Sequence, residues 1–147
     1  MSLKTQIEEN IKQSLKAGQK EELSALRMLL AAVKNEEIAK QREATDEDVI
    51  AVVQRQIKQR KESAEIYEKA GREELSSKER AEIEVLSKFL PQQLSEDELR
   101  NVVQEVISTL PENEKNNFGK VMGMVMAKVK GRAEGNEVGR IVREMLQ

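Results

Sequence analysis

Apolar residues recur every three or four positions along the whole chain, and no stretch alternates with the two-residue period of a half-buried strand. Leu3, Ile7, Ile11 and Leu15 predict a first helix over residues 2–17, with Ser2 as its N-cap and Gly18 as its stop. Leu23, Leu26, Leu30 and Val33 predict a second over residues 20–42. Thr45 opens a third, with Asp46, Glu47 and Asp48 at the positive end of its dipole. Its stripe of Val49, Val53, Ile57, Ala64 and Tyr67 runs out near Gly71. A fourth, starting at Arg72 or Ser76 and reaching Phe89, is expected to bury Leu75, Ile83, Leu86 and Leu90 before Pro91 stops it.

The run Pro91-Gln92-Gln93-Leu94 marks the domain boundary, giving an N-terminal helical domain of about four helices over residues 1–90 and a C-terminal domain over residues 91–147. Ser95 and Glu98 form an S-x-x-E capping box before Leu99, Val102, Val103, Val106 and Leu110. After a polar connection, a sixth helix starts near Asn117 with Phe118, Val121, Met122, Val125 and Val129 inward and ends at Gly131. Asn136 is expected to cap a seventh, carrying Val138, Ile141, Val142 and Met145. The fold class is therefore all-α, four helices followed by a three-helix tail.

Two charged residues break the pattern. Glu37 extends the stripe of the second helix and Arg60 falls inside that of the third. An antiparallel hairpin turning near Ala44 would leave them ~14 Å apart at ~1.5 Å per residue, so they are not each other's partners. Each is expected to meet an opposite charge on another helix or to reach water along its stem.

Composition narrows the chemistry. Charged residues make up 35% and hydrophobic residues 38%, and with one Tyr, two Phe and no Trp the core must be aliphatic. The net charge of -2 gives no global field toward nucleic acid or membrane, so any attraction must be local. Without Cys or His there is no disulfide, no thiolate or imidazole metal site and no histidine base, and no cofactor is expected. No apolar run approaches the ~20 residues that span a bilayer. Glu8 and Glu9 interrupt the first fifteen residues, so these do not read as a signal peptide and a cytoplasmic location without membrane contact is expected.

Ser76-Ser77-Lys78 superficially pairs a nucleophile with a base, but it lacks a strand-turn context that would expose the serine and reads as capping and solvated residues. The carboxylates are spread over faces that read as solvated, with no isolated pair in an apolar setting. The cations Arg55, Lys58, Arg60 and Lys61 are diluted by Glu62, Glu65 and Glu68 and read as a solvated face. No catalytic residue is assigned.

The segment NFGKVMGMVMAKVKGRAEGN, residues 117–136, stands apart. Between positions 115 and 132 lie Lys115, Lys120, Lys128, Lys130 and Arg132 and no acid, a local +5. Gly119, Gly123 and Ala127 recur every four residues as a ridge without side-chain bulk, although each glycine costs a helix ~1 kcal/mol relative to alanine. That pattern by itself more often lets another helix pack closely, and with the flanking lysines and the N-terminus of the next helix it also suits a seat for an RNA backbone. The alternative reading is a protein-docking adaptor, without nucleic acid, whose glycine ridge and exposed Met124 and Met126 receive a partner helix.

These residues also carry a resemblance. The run GKVMGMVMAKVKGRA at residues 119–133, with FLPQQLS at 89–95, RMLLAAVKNEEI at 27–38 and QRKES at 59–63, resembles the GatB/YqeY family, and in particular stand-alone YqeY-like proteins. The resemblance implies a helical N-terminal domain and a three-helix tail. A similar tail ends the B subunit of aspartyl/glutamyl-tRNA amidotransferases, where it helps hold tRNA, and is appended to some glutaminyl-tRNA synthetases. It implies RNA contact at Lys120, Gly123, Lys128, Lys130, Gly131 and Arg132, with tRNA or another structured RNA as ligand. It also implies a tRNA amidotransferase or an aminoacyl-tRNA synthetase as protein partner. Glu134 departs from the Asp or Asn expected there and adds negative charge beside the turn. The amidotransferase's catalytic parts are missing from this sequence, so a carbon-nitrogen ligase role with glutamine as nitrogen donor is a property of larger relatives.

Overall fold

Four of the described helices begin at a side-chain cap that the sequence supplies, at Ser2, Thr45, Ser95 and Asn117. The structure, a computed structural model describing residues 1–146, places α1 at Leu3–Ala17, α2 at Lys20–Lys40, α3 at Asp46–Lys69, α4 at Glu73–Ser87, α5 at Glu96–Thr109, α6 at Phe118–Val129 and α7 at Gly135–Leu146. Ser2 caps α1 through the Thr5 amide, and Gly18 closes it at φ 70°. Thr45 and Ser95 each complete a reciprocal capping box, with Asp48 and Glu98 as the returning carboxylates. No strand occurs among the described residues, and the protein is all-α. No helix among them is long and apolar enough to cross a membrane. The chain divides into two compact units, Met1–Leu90 and Pro91–Gln147.

In the N-terminal unit α2 and α3 each touch the other three helices. Their core is aliphatic except for Phe89: Ile7, Leu26, Leu29, Val33, Val49, Val52, Val53, Ile57 and Leu86. The first stripe is corrected at its end, because Leu15 is 58% exposed while Ser14 is buried. Each four-residue step overshoots a 3.6-residue turn by about 40°. Three such steps carry Leu15 off the face that Leu3 defines, and Ser14 falls back onto it. Leu75, expected inward, lies 37% exposed in the first turn of α4.

Polar groups close the unit where the stripes stop. Glu37 accepts from Lys4 on α1 at 3.0 Å and from the Ala44 amide at 2.8 Å, so its partner is on another helix, as expected. Arg60 likewise reaches α4: its Nη1 donates to Glu82 and lies 3.4 Å from Glu79. Glu82, read from the sequence as solvated, is buried, as is Arg60. Ser76 is also corrected. It is buried, with its Oγ donating to Glu68 at 3.0 Å, because α3 and α4 pack directly on each other.

Asp48 is the third buried charge. Beyond its capping role it accepts from Lys40 at 2.7 Å and Arg42 at 2.5 Å, tying the end of α2 to the start of α3. The Arg42 and Lys40 side chains hold its carboxyl well below the ordinary aspartate value. A depressed carboxyl contributes stability that is complete above its unfolded pKa, about 4, and is lost as the pH falls below it. Asp48→Asn is therefore expected to lower the melting temperature at pH 7 but to flatten its fall between pH 5 and 3. Circular dichroism melts of both proteins across that range check this, and parallel curves would remove Asp48 from the acid response.

In the C-terminal unit α5, α6 and α7 each touch the other two. Leu99, Val103, Val106, Val121, Val125, Val129, Val138, Ile141 and Val142 form most of its core. A salt-bridge lattice joins α5 to α7, with Arg100 at 2.7 Å from Glu144 and Arg140 at 3.0 Å from Glu96. Phe118, expected inward, is 37% exposed at the first position of α6, with the Arg143 guanidinium 5.3 Å from its ring centre.

Candidate functional site

α6 is amphipathic in an unusual sense: one side is valine and the other is nearly bare. Val121, Val125 and Val129 are buried, whereas Gly119, Gly123 and Ala127 are exposed. Gly123 and Val125 are about 200° apart around the helix, so the small residues face almost directly away from the core. A Cβ built at Gly123 meets nothing within 4 Å, and one at Gly119 meets only the Asn117 side chain at 3.7 Å. No packing among the described residues calls for these two glycines.

Lys120 borders this face, whereas Lys128 lies about 140° from Gly123 around the helix toward α5, and most of the cations are not bare charges. Lys115 pairs with Glu112 at 3.0 Å, Lys120 with Glu114 at 2.6 Å and Lys128 with Glu105 at 3.2 Å. The acid-free run in the sequence is thus answered by carboxylates from α5 and from the connection before α6. All three lysines remain partly exposed, and exposed pairs contribute only about 0–1 kcal/mol, so a phosphate can replace the carboxylate at little cost.

Arg132 differs. It is exposed, and its Nε donates to the Gln92 carbonyl at 3.1 Å. The carbonyl it meets is neutral, and the Glu98 carboxylate lies close enough to interact electrostatically with its guanidinium. Lys130 closes α6 at φ 26° and Gly131 follows at φ 80°, two consecutive residues in left-handed geometry. The segment that the sequence marks as a boundary braces this turn. Gln93 Nε2 donates to the Gly131 carbonyl at 2.8 Å, and the Leu94 amide donates to the Arg132 carbonyl at 2.8 Å. Sequence reasoning missed Gln93 as part of the site. The available signal was that FLPQQLS and VKGRA both carry the family resemblance.

Two expectations around the site change. The last helix begins at Gly135, with Asn136 inside its first turn, and Val138 N–H bonds to the Glu134 carbonyl at 3.0 Å. With Glu134 before it and Glu137 in its first turn, this N-terminus is a poor seat for phosphate. Met124 and Met126 are not exposed anchors. Both are partly buried and packed against the C-terminal core, because they lie nearer its margin than the glycines do. No group of three or more Asp or Glu side chains among the described residues is placed to hold a metal ion.

Comparison with known proteins agrees across both units. Residues 4–146 match the family described as Yqey-like protein. The chain is 29% identical over 143 residues, 95% of its length and 78% of the relative's, to altered inheritance of mitochondria protein 41, mitochondrial, of Pyrenophora tritici-repentis. It is 33% identical over 94 residues to an uncharacterized protein of Schizosaccharomyces pombe, covering 64% of this chain and 76% of that one. A match of this extent, running through all seven helices and through both the brace and the turn it holds, makes this chain a member of the Yqey-like family.

Proposed function

We propose that the C-terminal unit is an accessory docking module for tRNA or another structured RNA. The bare face of α6 approaches the RNA backbone, and Lys120, Lys128, Lys130 and Arg132 meet phosphates around it. The observation that carries this reading is the open glycine ridge. Gly123, inside α6, costs the helix about 1 kcal/mol relative to alanine, and no contact among the described residues needs either glycine. Gly123 allows close approach, and Gly131 permits the turn that presents Arg132. Recognition is by shape and charge, since the three aromatic residues of the chain offer little surface on which bases could stack. In this reading, which the resemblance to the GatB tail supports, such a module works beside glutamine-dependent tRNA amidation, with the amidotransferase or an aminoacyl-tRNA synthetase as the protein that shares the tRNA.

Neutralising four phosphates predicts that log K for tRNA falls with log salt at a slope of about -2.8 to -3.6, roughly a tenfold loss for each doubling of salt. Fluorescence anisotropy with labelled tRNA measures it. A flat response, or no binding at 50 mM salt, would sink the RNA reading. Retention of a protein partner after RNase treatment would then turn the ridge into a seat for a helix.

A further inference from the structure

The turn after α6 is held by a segment 38 to 40 residues away in sequence. We propose that Gln93 is a positioning residue of the RNA seat, fixing the turn at residues 130–132 so that Arg132 presents its terminal nitrogens to a phosphate. The proposal rests on the RNA reading given above.

Lys130 at φ 26° adopts a backbone conformation that residues with a Cβ rarely take, and Gly131 continues it at φ 80°. Such a turn persists only when its surroundings over-determine it. Three hydrogen bonds do so here: Gln93 Nε2 to the Gly131 carbonyl, the Leu94 amide to the Arg132 carbonyl, and Arg132 Nε to the Gln92 carbonyl. Gln93 supplies the one side chain that the 91–94 segment contributes to this brace. Its carboxamide nitrogen also donates to the Pro91 carbonyl at 2.9 Å, so one group bridges the two chain segments.

The consequence reaches the guanidinium. With Nε occupied by the Gln92 carbonyl, the plane of the Arg132 head is set by the brace. Its Nη1 and Nη2 are the pair of donors that a phosphate accepts in parallel. A freely rotating guanidinium loses more freedom on binding than one phosphate contact returns, so without the brace the contact is not made. Gln93 thus acts through Arg132 without touching the RNA.

The test uses the full chain as wild type, Gln93→Ala, Gln93→Glu, Arg132→Ala and the Gln93→Ala/Arg132→Ala double variant. Anisotropy with tRNA across a salt series is combined with amide hydrogen exchange in the absence of RNA. Gln93→Ala and Gln93→Glu should each weaken binding about threefold or more and reduce the salt slope by about 0.7–0.9, the share of one phosphate. The double variant should bind no more weakly than Arg132→Ala. Exchange at the hydrogen-bonded amides of Leu94 and Arg132 should quicken while the amides of α5 stay protected. A general loss of folded protein would lower the active fraction and leave the slope alone, so the slope separates positioning from stability. Losses that add in the double variant, an unchanged slope, or unchanged exchange at Leu94 and Arg132 would overturn the proposal. Wild-type affinity in Arg132→Ala would instead bring down the RNA seat itself and the positioning role with it, and exchange would still report whether Gln93 braces the turn.

Discussion

Glu82→Ala is expected to destabilise the N-terminal unit by about 3 kcal/mol, lowering its melting temperature by roughly 15 °C. Arg60 is the reason. It lies 9% exposed, its Nη1 faces Glu82 and Glu79, its Nη2 meets the Met28 sulfur at 3.7 Å, and its Nε has no partner among the described residues. Removing Glu82 leaves a buried cation with one weaker carboxylate at 3.4 Å. Stranding a charge costs more than the pair contributes in the first place, so Arg60→Met combined with Glu82→Met should recover most of the loss. Urea unfolding followed through Tyr67, the sole tyrosine and a residue of α3, reports this unit separately from the C-terminal one. A loss under 1 kcal/mol in Glu82→Ala would mean that water already reaches the pair.

That pair also shows where the sequence stops being informative. Arg60 was legible as an anomaly, because a cation inside an apolar stripe must be answered from another element. Which carboxylate answers it was not legible, since Glu79 and Glu82 look like any solvated residues until α3 and α4 are packed together. The same holds for Ser76 and Asp48. Helix positions depend on local signals such as the caps at Ser2, Thr45 and Ser95, and these could be read directly. Burial depends on accumulated phase, and so Leu15 drifted off its face while Ser14 was buried.

At the candidate site the sequence carried the charges and the bare ridge, but not their state. Glu105, Glu112 and Glu114 all lie outside the acid-free run, yet the fold brings them onto its lysines. Three of the five cations are therefore held in exchangeable pairs, and Arg132 lies in the field of Glu98. Conversely, Pro91-Gln92-Gln93-Leu94 read as a boundary because proline ends α4. Its second role, as a brace for a turn about 40 residues later, needed the tertiary structure to be seen.

Gly123 sets stability against binding. Gly123→Ala should stabilise the C-terminal unit by about 0.5–1 kcal/mol, because the position is helical and exposed and a methyl group meets no neighbour within 4 Å. Gly123→Leu should gain a similar amount from helix propensity while filling the space through which an RNA backbone approaches, and is expected to weaken tRNA binding about tenfold or more. Thermal melts and anisotropy on the same samples give both numbers. A gain in stability with a loss in affinity is the signature of a residue kept small for a ligand. An ordinary surface glycine would give the gain alone. If Gly123→Leu binds tRNA as the wild type does, the ridge has no part in contact, and the reading built on it loses the observation that carries it.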